Sequence, residues 1–195
     1  MPSPSLLSNG RYTVVLTRGG GGVSTYGAFA LTGWEPDRTR DADGFFVYLR
    51  DLDRGATWSV TPRPMGLAES YANAVEPGRV RWTSRHDGIE TVLDVCVAPG
   101  ADAELRRLVL KNTGPATRRL DATSYAEVVL NQAAAHAAHP AFAKLFVQTE
   151  LVAEQAALLA WRRPRSLGES YPWLVHACLG PGVLEHETDR ARCPS

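Results

Sequence analysis

The chain has 195 residues, and 21 Lys and Arg balance 21 Asp and Glu for a formal net charge of zero. That length can bury a core of its own without disulfides. The balance excludes a dedicated nucleic-acid binder, which needs an excess of cations to release counterions from phosphate.

The N-terminal "MPSPSLLSNG" has no basic start and no long apolar stretch, so it is not a secretory signal. No apolar run anywhere approaches the roughly 18–20 residues of a membrane helix. Three cysteines, Cys96, Cys178 and Cys193, are odd in number and share no CxxC spacing. This argues against a disulfide framework or a zinc site and implies free thiols in a reducing compartment. The expectation is a cytoplasmic chain with a loose tail over residues 1–10 and one domain over residues 11–195.

The first predicted strand, "RYTVVLTR" (11–18), ends in four glycines. "GFFVYLRD" (44–51) is aromatic and β-branched, and the turn "DRG" leads it into "ATWSV" (56–60) as a hairpin. "ESYANAVE" (69–76) alternates and turns at Pro77-Gly78 into "RVRWTSRHD" (79–87). Asp87-Gly88 then turns into "IETVLDVCVA" (89–98), which makes the cleanest hairpin in the sequence. Along this last strand Ile89, Val92 or Leu93, Val95 and Val97 suggest one buried face, with a slip near the start. "ELRRLVLKNTG" (104–114) and "TRRLDATSYAEVVL" (117–130) read as two strands of a further hairpin. "KLFVQTEL" (144–151), "AALLAWRR" (156–163) and "WLVHACLG" (173–180) continue the series. Only "NQAAAHAAHP" (131–140) looks helical, which places a short helix near 131–139, and Pro140 would end it. Strands recurring about every 8–12 residues with turns between them predict an antiparallel β-sandwich or barrel.

Candidate chemistry is sparse. The glycine run Gly19–Gly22 lacks the Lys-Ser/Thr pair of a phosphate loop and opens no helix, so a flexible loop is the better reading. His136 and His139 could share a helix face, but neither a third ligand nor a supporting carboxylate lies near them, so no metal site and no cofactor are expected. The most charge-dense stretch is "WEPDRTRDADG" (34–44). Its Trp34, Asp37, Arg38, Arg40 and Asp41 form the candidate carbohydrate-binding set. An indole face stacks on a sugar ring, and carboxylates and guanidinium groups hydrogen-bond hydroxyls. No other stretch is expected to combine an indole with clustered acids and arginines. Two carboxyls of this loop could also do hydrolase chemistry if they faced each other about 5–10 Å apart. No catalytic residue can be named.

Several stretches occur together in one order: "LLSNGRYTVVLT", "FFVYLRD" with "TWSVTPRP", "LRRLVLKNTG", "TSYAEVVL", "HPAFAKLFVQTE" and "HETDRAR". In this order they resemble the N-terminal β-sandwich domain of the cellobiose phosphorylase type family (glycosyltransferase family 36, glycoside hydrolase family 94). The resemblance is closest to the phosphorylase-like region of cyclic β-1,2-glucan synthases, and it covers nearly the whole chain.

The resemblance implies an all-β fold, a large antiparallel supersandwich of the galactose-mutarotase type, incomplete over these 195 residues. In the family this domain packs on a catalytic (α/α)6 barrel, which carries the catalytic acid and most of the sugar- and phosphate-binding residues. The chain is then expected to be the N-terminal domain or a fragment of a β-glucan phosphorylase or glucan synthase type enzyme. Alone it would be inactive, structural, and in contact with β-glucan at most weakly. A full-length synthase parent would be anchored in the inner membrane. The rival reading is a free-standing carbohydrate-binding module for β-glucans. The apolar strands near the C-terminus also lead us to expect a homodimer through residues of about 151–184, because an open strand edge recruits another chain.

Overall fold

The computed structural model describes residues 4–34, 41, 43–138, 142, 144–182 and 184–189. The chain divides into two compact units, Met1–Glu127 and Val128–Ser195.

The first unit is built from antiparallel meanders. Strands β1 (Ser5–Ser8), β2 (Tyr12–Leu16), β3 (Gly22–Tyr26) and β4 (Phe29–Thr32) pair in sequence order. Strand β1 lies inside the segment read from sequence as a tail. Strand β5 (Phe45–Asp51) forms the expected hairpin with β6 (Thr57–Ser59). Strands β7 (Ser70–Glu76), β8 (Arg79–His86), β9 (Ile89–Val97) and β10 (Glu104–Asn112) make a four-stranded sheet in the order β10-β9-β8-β7. At the β8–β9 turn both Asp87 (φ 47) and Gly88 (φ 80) take left-handed backbone. A two-residue hairpin turn that follows the twist of its strands needs this conformation.

Alternation decides what each strand buries, because successive side chains point to opposite faces. Val80 and Trp82 of β8 and Ile89, Leu93 and Val95 of β9 are buried on one face. Val14 and Leu16 of β2, Phe46 and Leu49 of β5, and Trp58 of β6 join them in the core. Each such side chain contributes about 1.5–3 kcal/mol of burial. The slip expected near the start of β9 is absent. The pairing with β8 runs unbroken from Ile89 to Val95, with Thr91 on the buried face beside Ser84.

One predicted hairpin is wrong. Strand β11 (Leu120–Ala126) does not pair with β10; it crosses to the other sheet and pairs with β5 over its whole length. The physical reason lies in the preceding arginines. Arg118 is pulled onto the buried Asp51, and Arg119 donates to Asp53 from Nε at 2.8 Å and from its backbone N–H at 2.9 Å. The expected strand 117–130 also breaks. It ends at Ala126, and the Glu127 carbonyl accepts a hydrogen bond from Gly33 N–H at 2.8 Å.

In the second unit, β12 (Val128–Gln132) leads into the helix α1 (Ala133–Ala138). A three-stranded antiparallel sheet follows, from β13 (Val147–Val152), β14 (Ala157–Arg162) and β15 (Leu174–Ala177), with β14 in the middle. The β13–β14 connection is a 3-10 turn over Ala153–Gln155, closed by Ala156 in left-handed backbone. The fold is thus all-β and antiparallel with one short helix among the described residues, as the sequence implies. No helix among those residues is long and apolar enough to cross a membrane.

Candidate functional site

The glycine run is a packed crossing rather than a loose loop. Thr17 N–H donates to Gly21 O at 2.8 Å, Arg63 N–H donates to Gly19 O at 2.8 Å, and Gly22 N–H donates to Asp43 O at 3.1 Å. Trp82 Nε1 donates to Arg18 O at 3.0 Å and fixes the turn to the core. Gly20 takes φ 101 directly over the Thr61 side chain, so any Cβ there would collide with it. Glycine supplies both the backbone conformation and the clearance.

This crossing holds Asp41, near the end of the charge-dense stretch. Asp41 (φ 45) receives the Thr17 hydroxyl on Oδ2, and its carboxyl sits where Cβ atoms on Gly19 or Gly21 would fall. Trp34, where the loop departs, is half-buried, and its indole N–H has no partner among the described residues. Of the candidate set, the structure therefore describes Trp34 and Asp41. Asp37, Arg38 and Arg40 lie outside the described residues.

The buried carboxylates of the first unit are held by arginines. Asp51 accepts from the backbone N–H groups of Asp53 and Arg54 on Oδ1, at 2.8 and 2.9 Å, and from Arg118 on Oδ2. Burial pushes its pKa up, but the Arg118 contact and the two backbone donors outweigh it and hold the carboxyl below the usual range. Asp94 receives a two-point contact from Arg81, at 2.7 and 3.0 Å. The Arg81 hydrogen bond lowers its pKa, opposed by burial and helped by the charges of Arg81, Arg79 and Arg107. Glu104 is shared between Ser24 Oγ at 2.8 Å and Arg106 Nε at 3.0 Å, and Arg106 also caps the Phe45 ring at 4.2 Å. The Arg81–Asp94 pair joins adjacent strands of one sheet, and the Ser24–Glu104 bond links β3 to β10 of another sheet, which is a structural task.

Sequence reasoning missed a second aromatic cluster, in the second unit. Trp161 of β14 and Trp173, just before β15, stack with ring centroids 5.0 Å apart and planes 17° apart. Trp173 is 63% exposed. On the opposite face of β14, Arg162 lies between the rings of Phe146 and Tyr171, at 5.2 and 5.3 Å. The signal was present in "WRRPRSLGESYPW" (161–173), which also combines indoles, arginines and an acid. The two tryptophans fall at the ends of the predicted strands 156–163 and 173–180, so the pattern along either strand does not bring them together. His136 stands on α1 with its Nδ1 buried and unpartnered among the described residues, and His139 lies outside them.

Residues 1–192 match the profile of the glycosyl hydrolase 94 supersandwich domain. The chain is 34% identical over 192 residues to the cyclic beta-(1,2)-glucan synthase NdvB of Rhizobium meliloti (strain 1021), covering 96% of this chain and 7% of that protein. It is 30% identical over 135 residues to the N,N'-diacetylchitobiose phosphorylase of Vibrio proteolyticus, covering 65% of this chain and 17% of the relative. The corresponding phosphorylase of Vibrio furnissii is 27% identical over a similar span. The chain thus spans a small part of the length of the curated relatives it matches.

Proposed function

The chain belongs to the glycosyl hydrolase 94 supersandwich family, and on that premise we propose that it is the non-catalytic sandwich domain of a β-glucan phosphorylase or glucan synthase type enzyme. Its partner is a catalytic barrel, and its task is to support that barrel and touch the glycan. The single observation that carries this reading is the family match over residues 1–192. The arginine clamps on Asp51 and Asp94 support it, because a carboxylate held this way is a poor general acid or base near neutral pH. Free thiols at Cys96 and Cys178 support a reducing, cytoplasmic setting.

The first glycan contact we assign is Trp34 with Asp37, Arg38, Arg40 and Asp41, because the indole leads directly into the polar loop. The outer strand β15 of the second-unit sheet is the edge through which a homodimer over residues of about 151–184 would form.

The test is association. The purified chain is mixed with a separately expressed catalytic region of a glucan synthase relative and followed by analytical ultracentrifugation. A stoichiometric complex supports the reading. Two independent species at all concentrations oppose it and favour the free-standing carbohydrate-binding module.

A further inference from the structure

We propose that the stacked pair Trp161–Trp173 is a second carbohydrate-binding platform, one that takes a neutral β-linked oligosaccharide against the open face of Trp173. The antiparallel register places Gln148 of β13 beside Trp161 of β14, and Trp173, one residue before β15, stacks on Trp161. The next row on the same face holds Glu150, Leu159 and Val175. This face therefore presents two indoles flanked by an exposed amide and an exposed carboxylate. That is the composition a pyranose requires, with an apolar ring face to stack on and short polar groups to meet its hydroxyls.

The platform is braced by its neighbours, which lowers the ordering cost of binding. Trp161 sits on the central strand. The loop that delivers Trp173 is braced by Glu169, which accepts the Arg165 N–H at 2.9 Å and the Tyr171 hydroxyl at 3.1 Å. Tyr171 in turn packs on Arg162, whose strand carries Trp161. One face of the Trp173 ring is covered by Trp161, and the side chain is still largely in water. Leaving so much aromatic surface exposed works against stability, and a ligand that covers it recovers that surface. A glycan suits this face better than an anion, because the side chains flanking the indoles are an amide and a carboxylate. The choice of β-linked sugars rests on the family reading; the location does not.

The experiment is a titration of the whole chain with sophoro-, cello- and chito-oligosaccharides, followed by calorimetry and tryptophan fluorescence. The proteins are wild type, Trp173→Ala, Trp173→Tyr and Trp34→Ala, each checked for folding by circular dichroism. We expect saturable binding that weakens about ten-fold in Trp173→Ala, the scale of one lost stacking contact. Binding should stay within about three-fold of wild type in Trp173→Tyr, which keeps an aromatic face. Three results overturn the proposal: no binding by any sugar, equal affinity in wild type and Trp173→Ala, or dependence on Trp34 alone. The last would leave the Trp34 contact standing and remove only this one. A wild-type dimer that dissociates in Trp173→Ala also overturns it, since the face would then belong to a second copy.

Discussion

The Asp51 carboxylate is wholly buried, and the Arg118 guanidinium closes on it with Nε 2.6 Å from Oδ2. This pair ties the β5–β6 turn to the segment that enters β11. Arg118 also reaches the β8–β9 turn, donating to Asp87 O at 3.0 Å. Removing one partner leaves the other charge buried and unpaired, which is strongly destabilising. We expect Asp51→Ala to lower the melting temperature far more than Asp53→Ala, whose partner Arg119 is exposed. A thermal melt of the two variants checks the ranking, and equal shifts would refute it.

Acid should unfold the chain through the same carboxylates. Asp51, Asp87 and Asp94 all have folded pKa values below the ordinary 3.8. A carboxyl with a depressed folded pKa contributes stability that is full above its unfolded value and is lost as pH falls through the folded one. Stability should therefore be flat from about pH 7 to pH 5 and fall steeply below about pH 4. In Asp94→Asn the fall should be shallower. Denaturant melts at a series of pH values provide the check, and an unchanged acid limb in the variant would count against Asp94.

Gly20→Ala should cost about 1–3 kcal/mol, since the residue combines left-handed backbone with direct contact on Thr61. Gly100→Ala is the control, because nothing lies within 4 Å of a Cβ there. Urea unfolding of both variants measures the difference. Equal stabilities would show that the glycine crossing is not packed as described.

The antiparallel hairpins at Pro77-Gly78 and Asp87-Gly88 were legible in the sequence because their turns are encoded by adjacent residues. The crossover from β10 to β11 was not. It depends on Arg118 finding Asp51, which lies 67 positions earlier in the chain. Strands β3 and β4 were hidden for a similar reason: the glycines before them looked like a flexible loop, and their role appears only against Thr61 and Asp41. At the candidate sites, Trp34 is singled out in the sequence by the charge density that follows it. The Trp161–Trp173 stack was not legible because Trp161 lies on β14 and Trp173 at the entrance to β15, and the two meet only when the strands pair.

Dimerisation through the β15 edge should show as a mass that rises with concentration. Light scattering over a concentration series tests it, and placing a proline at Val175 should favour the monomer by removing one backbone donor. A single monomeric mass at every concentration would dismiss the interface.

On the proposed function, this chain supports glycosyl chemistry without performing it. Its most direct test is the release of glucose 1-phosphate from β-1,2-gluco-oligosaccharides and inorganic phosphate by the purified chain. No release above that of a mock preparation is expected. Release that scales with the amount of chain, and survives further purification, would contradict it.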